Sequence, residues 1–190
     1  MQCEHYFYNC SKEYIDSINH NLYQEIIDAL DKLPKLATQS EINRHLFRAL
    51  LNKGWSYDTC PPGVKGLSSG VLDACGQGKT SNNQRSLCLT SSTLGANWHT
   101  DFAKSINGKL IHIEAQFGKV ESMFKDFCGF RIAYFERRLA LGIKIVISEP
   151  YKYFSHRKAS IGGMAYFDIA KRTLSAIGLN CPIWLIGLKE

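Results

Sequence analysis

Residues 101–119 read DFAKSINGKLIHIEAQFGK, and the alternation within them decides the fold. Asn107-Gly108 is a two-residue hairpin turn, because both residue types tolerate positive φ. After the turn, Leu110, His112, Glu114 and Gln116 fall on one face, and Ile111, Ile113, Ala115 and Phe117 on the other. The second set is apolar throughout and belongs on a core. The first set turns polar toward the strand end, where Glu114 and Gln116 stand two residues apart, about 7 Å between Cα atoms. Both side chains therefore reach one point in space. Asp101, opening the neighbouring strand of the hairpin, reaches it too.

An acidic residue, a hairpin and Glu-x-Lys on the next strand make up the PD-(D/E)XK nuclease motif. The stretch resembles that motif, with Gln116 in the lysine position. Asp…Glu-x-Gln resembles the variant in type II restriction endonucleases similar to BglII and BstYI, and Phe117-Gly118-Lys119 with the helix and strand after it resembles the same branch. Thr100 stands where the motif has Pro, and the gap from Asp101 to Glu114 is longer than in that branch.

The resemblance implies an α/β (α+β) fold with a restriction-endonuclease-like core, a central mixed β-sheet flanked by helices. It implies a type II enzyme that hydrolyses double-stranded DNA at a short palindromic site and leaves 5′-phosphate ends. The implied cofactor is Mg2+, with Mn2+ able to substitute. Phosphodiester hydrolysis needs a nucleophilic water and relief of developing charge, and a hard cation held by oxygen ligands supplies both. Asp101 and Glu114 would provide carboxylates, the Ala115 backbone carbonyl would be a further metal ligand, and Gln116 would orient the attacking water. A homodimer and a companion DNA methyltransferase are implied as partners. Two alternatives of the same fold stay open: a DNA-binding module without catalysis, and a non-specific repair or recombination nuclease.

At 190 residues the chain has the size of one domain and can bury a sizeable core. A formal net charge of +6 is compatible with a polyanionic partner without requiring one. Seven cysteines, with no Cys-x-x-Cys, read as free thiols in a reducing cytoplasm, and the resemblance implies a prokaryotic one. Met1 to Cys10 is too polar for a signal peptide, and no apolar run reaches the ~20 residues of a membrane span, so no membrane association is expected.

Around the hairpin, a helical N-terminal part covers about residues 14–53. One helix is expected over Tyr14–Leu33 and a second from an N-cap at Ser40 to Lys53. Glu41, in the first turn of the second, either favours the helix dipole or serves as an auxiliary acid facing the metal. About residues 56–98 form an irregular insertion rich in Gly, Pro and Ser. Its Gly78-Lys79-Thr80 lacks the first glycine of a phosphate-binding loop, because Asp73 stands there. Its cysteines lack the close pairs of a structural zinc site. Asn82, Asn83, Gln84 and Arg85 read either as a solvated loop or, having the side chains that read adenine and guanine edges, as DNA-binding residues.

A long helix is expected over Val120–Leu141, with Val120, Met123, Phe124, Phe127, Phe130 and Tyr134 inward and Gly142 as terminator. A short central strand, Lys144–Ile147, follows it. His156, Arg157 and Lys158, in the loop after that strand, are further DNA-binding candidates, and Lys104 and Lys119 are candidates for backbone phosphates. A helix over Met164–Ile177 and a strand over Pro182–Leu188 complete the chain.

Overall fold

A computed structural model of the chain describes residues 1–34, 38–61, 86–91, 98–155 and 161–189. Its centre is the expected hairpin. Strands β3 (Phe102–Ile106) and β4 (Lys109–Ala115) are antiparallel, and Asn107 and Gly108 between them take φ of 51° and 76°. These are the left-handed values the two-residue turn requires. Strands β1 (Gln2–Tyr8), β2 (Ser56–Tyr57), β5 (Leu139–Ile147) and β6 (Ile183–Lys189) complete a six-stranded sheet in the order β1-β6-β5-β4-β3-β2. The pairs β4/β5 and β5/β6 are parallel and the others antiparallel, so the sheet is mixed.

Both faces of the sheet are covered. Helices α1 (Lys12–Ile18), α2 (Leu22–Asp31) and α3 (Gln39–Leu51) pack on the face of Ile111, Ile113, Ile143, Ile145 and Trp184. Helices α4 (Val120–Phe135) and α6 (Phe167–Ile177) cover the face of Leu110, Val146, Ile183 and Leu185. A short helix α5 (Pro150–Tyr153) follows β5. Because both sides of β5 are buried, it reads as an almost unbroken apolar run, LALGIKIVI. Among the described residues no helix is long and apolar enough to cross a membrane.

Several boundaries differ from the reading of the sequence, among them the start of α6 at Phe167 and not Met164; four have a local reason. Strand β1 was not expected; its polar residues sit on an edge strand, where only one side of the ladder is paired. The helix expected over Tyr14–Leu33 is two helices, interrupted where Asn19 is extended at φ −156°. Asparagine is a poor helix former, because its side chain competes for backbone groups. The second N-terminal helix is capped by Thr38, not Ser40.

The helix from Val120 ends at Phe135, not Leu141. Arg137 takes φ 58° and turns the chain into β5, which is therefore longer than the strand read from sequence. Phe124 points outward, and Asp126 takes a place on the buried side. Gly142 lies inside β5 and terminates nothing. A Cβ there would come within 2.7 Å of the Phe130 ring, so its lack of a side chain lets α4 seat on the sheet.

Gly142→Ala should therefore destabilise the protein by about 1–3 kcal/mol through overpacking. Urea unfolding checks this, and Phe130→Leu in the same background should recover part of the loss. An unchanged midpoint in Gly142→Ala would mean that α4 does not seat on β5 through this contact.

Candidate active site

The end of β4 carries the site. Thr100 is fully buried; its Oγ1 donates to the Ile113 carbonyl at 2.7 Å, and its backbone N–H donates to Cys88 at 2.8 Å. The first of these bonds uses a side chain that the motif's proline would not have. It fastens the start of β3 to β4 and so places Asp101. The Asp101 carbonyl accepts from the Asp58 N–H at 3.1 Å, and its carboxylate accepts from the Ala115 N–H at 2.9 Å. The Gln116 N–H donates to Ile145 at 2.9 Å, which holds the strand end onto β5. Asp101, Glu114, Ala115 and Gln116 thus line one cleft of about 340 Å³, walled opposite by Ser40 and Asn43 of α3 and by Thr59.

Glu114 faces the side of the sheet that α4 covers, and is buried. In parallel register it stands beside Lys144 of β5, whose buried Nζ donates to the carboxylate of Asp126 on α4. Burial, then the charges of Asp101 and Asp126, push the Glu114 carboxyl well above the usual carboxylate range; Lys144 offsets part of this. Asp101 reaches solvent at the cleft mouth, yet protein surrounds its carboxylate closely enough that desolvation raises its pKa too. The hydrogen bond from Ala115 and the charge of Lys144 pull the other way.

This donor set suits a hard divalent cation. The groups are oxygen donors, two are carboxylates that repel each other, and a cation between them would relieve that repulsion. Among the described residues no group of three or more His, Cys, Asp or Glu is arranged to hold a metal. Two carboxylates are sufficient for Mg2+, which retains waters and takes substrate phosphate oxygens as ligands. Gln116 has its amide folded over Gly118, where a Cβ would lie 2.8 Å from Nε2. The glycine leaves the space this amide occupies.

The other candidates separate. Glu41 forms a capping box with Thr38: its carboxylate accepts from the Thr38 N–H at 2.7 Å and hydroxyl at 2.8 Å, which lowers its pKa. That is the helix-end role, and the cleft takes Ser40 and Asn43 from α3 instead. Lys104 is engaged by Glu25 at 2.8 Å and lies 5.7 Å from the Trp55 ring centroid, on the face opposite Glu114. Lys119 is exposed at the start of α4. Asn82, Asn83, Gln84 and Arg85, and His156, Arg157 and Lys158, lie outside the described residues.

Cys3, Cys10, Cys88, Cys128 and Cys181 are free thiols, whereas Cys60 at the cleft rim is disulfide-bonded, so the expectation of free thiols throughout does not extend to it. Sequence reasoning missed Lys144 and Asp126. The available signal was a single charge inside the apolar run of β5.

The segment before β3 is anchored on the α4 side. His112, fully buried, meets the Leu87 carbonyl through Nε2 at 3.1 Å, and burial lowers its pKa to about 4, so the ring is neutral at physiological pH. The Arg138 guanidinium donates to the Leu89 carbonyl at 3.2 Å, and the Ser91 hydroxyl donates to Glu136 at 3.0 Å.

The family model described as Restriction endonuclease BglII/BglIII matches residues 3–188 of the chain. Among solved structures the chain is similar to the crystal structure of restriction endonuclease BglII complexed with a DNA 16-mer. The TM-score is 0.64 and the identity 16%, over 100% of this chain and 79% of that one. At that identity the likeness speaks for the fold. No curated protein matches.

The raised carboxyl pKa values set an expectation for stability. When a folded-state pKa lies above its unfolded value, the folded state binds more protons in the window between, so stability falls as pH rises through it. For Glu114 and Asp101 that window begins at the ordinary carboxylate range and extends upward. In metal-free buffer the melting temperature should fall as pH rises from there toward neutrality. Glu114→Gln should flatten this fall and melt higher than the parent at pH 7. A Glu114→Gln protein that melts lower at pH 7 would contradict the burial and repulsion described for this carboxylate.

Proposed function

The chain belongs to the BglII/BglIII restriction endonuclease family, and on that premise we propose that Asp101, Glu114, Ala115 and Gln116 are its hydrolytic machinery. Membership makes it a type II restriction endonuclease, a site-specific deoxyribonuclease. The observation that carries the site assignment is the bond from the Ala115 N–H to the Asp101 carboxylate, because it brings the first acid of the motif to the Glu-x-Gln strand.

A divalent metal ion goes with such an enzyme, and Mg2+ is the ion proposed, with Mn2+ as substitute. When bound, it supplies charge neutralisation at the scissile phosphate and a more acidic water. Asp101 and Glu114 would hold it with the Ala115 carbonyl. Gln116 has no group that titrates in a useful range and cannot be the general base. Its amide orients the attacking water in line with the leaving oxygen. The bond formed joins the water oxygen to phosphorus. The bond broken is P–O3′; the water gives up its proton to a neighbouring phosphate oxygen or to solvent and O3′ takes one up from solvent, which leaves a 5′-phosphate and a 3′-hydroxyl.

Lys119, at the cleft end of α4, is assigned to a backbone phosphate. The 56–98 insertion and the 156–158 loop are assigned to base and phosphate contacts. Lys104 is left with Glu25. The enzyme is proposed to act as a homodimer on a palindrome, since two sites related by a two-fold axis cut both strands. The exposed Phe124 and Phe135 of α4 and Ile177 of α6, all on one side of the sheet, support that side as the dimer surface. A prokaryotic cytoplasm and a companion methyltransferase complete the proposal.

Glu114→Ala should reduce strand cleavage by orders of magnitude while DNA binding in Ca2+ persists, because a metal ligand goes and the apolar face of β4 stays. Gln116→Ala should lose a smaller factor, through water positioning alone. Both are read from cleavage and affinity measured at one salt concentration. Cleavage by Glu114→Ala near the parent rate would move the site off this hairpin.

A further inference from the structure

Lys144 and Asp126 have no part in the machinery proposed above, yet they lie beneath it. Lys144 is fully buried in β5, in register with Glu114 across the β4/β5 ladder and on the same face. Its ammonium donates to Asp126, a buried carboxylate of α4 that approaches from the opposite layer. Such a pair is weak support for stability, because the desolvation of both charges offsets their attraction. Its position against Glu114 gives it another use. Building on the metal-site reading above, we propose that Lys144 is a positioning residue that keeps Asp126 turned away from Glu114, so that the cleft presents two metal-binding carboxylates and not three.

The geometry imposes this choice. Lys144 is the ladder neighbour of Glu114 and its charge acts on that carboxyl, while its ammonium is bonded to Asp126. Asp126 is close enough for its charge to act on both Glu114 and Asp101. Without the lysine, Asp126 would be a buried carboxylate beside two others, and the positive charges left to the cluster would be Lys125 and a cation held in the cleft. Without Asp126, the ammonium would turn to its other neighbour, Glu114, and compete with the metal for that carboxylate. The two substitutions therefore act on metal affinity in opposite directions, whereas a pair that only braces the fold would weaken the site whichever member was lost.

The test is Mn2+ titration of the free protein, followed by loss of the free-ion EPR signal, for the parent, Lys144→Gln, Lys144→Met and Asp126→Asn. Thermal melts confirm which variants fold. A unit charge at this range in a partly buried site changes affinity for a divalent ion by about tenfold or more. Mn2+ affinity should rise by that order in the lysine variants and fall by a similar factor in Asp126→Asn. Affinity that falls in all variants, or does not move, overturns the proposal. So does failure of both lysine variants to fold, since the lysine is then a structural requirement. A parent protein that binds no Mn2+ overturns the metal-site reading itself, and this inference with it.

Discussion

Two carboxylates that repel each other must share one end of a strand, and the structure around them is arranged to hold them there. The bond from the Ala115 N–H to Asp101 is the direct restraint, and the Thr100 hydroxyl on the Ile113 carbonyl sets its register. Neither would form if β3 and β4 slipped by one residue, because a slip of one sends every side chain to the other face. The left-handed Asn107-Gly108 turn fixes the register at the far end of the hairpin. The apolar face of β4, Ile111 and Ile113, fixes which way the strand faces. Burial and repulsion of the two carboxylates cost the site stability, and a cation held between them would recover that cost.

The two faces of the sheet contribute different things to the cleft. The α1–α3 side supplies its wall, through Ser40 and Asn43 at the start of α3. The α4–α6 side supplies its floor, through the buried charges beneath Glu114. The same side anchors one described stretch of the insertion: His112, Arg138 and Glu136 hold residues 87–91. A segment tied to β4 and to the turn after α4 is thereby tied to the strand that carries Glu114 and Gln116, a physical route between that segment and the cleft.

Much of this was legible in the sequence because local rules and the global fold agree along the hairpin. Asn-Gly specifies the turn, strict alternation specifies the faces, and Glu114 and Gln116 two apart specify a shared point. The end of α4 was not legible. Residues 136–141 continue a tolerable helical pattern, and only the ion pair of Glu136 with Arg138 and the left-handed Arg137 reveal the turn. Gly142 read as a stop because glycine often follows helices; its actual duty, yielding space to Phe130, is a tertiary contact no local rule reports. Strand β1 escaped because an edge strand tolerates polar residues. Glu41 showed the reverse: a capping box is a local signal, and the local reading of that residue describes where its carboxylate lies. Lys144 was visible as an anomaly, a lone charge in an apolar strand, but its partner Asp126 lies in a different layer and only the packing of α4 brings them together.

The Asp101–Glu114–Gln116 cleft is proposed to cut DNA at one defined sequence with the help of a divalent ion. Digestion of a bacterial genome of known sequence in Mg2+, followed by sequencing of the fragment ends, tests it most directly. The expected result is discrete fragments whose 5′-phosphorylated ends all fall at one short palindrome, and no cutting when Mg2+ is chelated. Ends scattered without a common sequence, or cutting that continues in chelator, would contradict it.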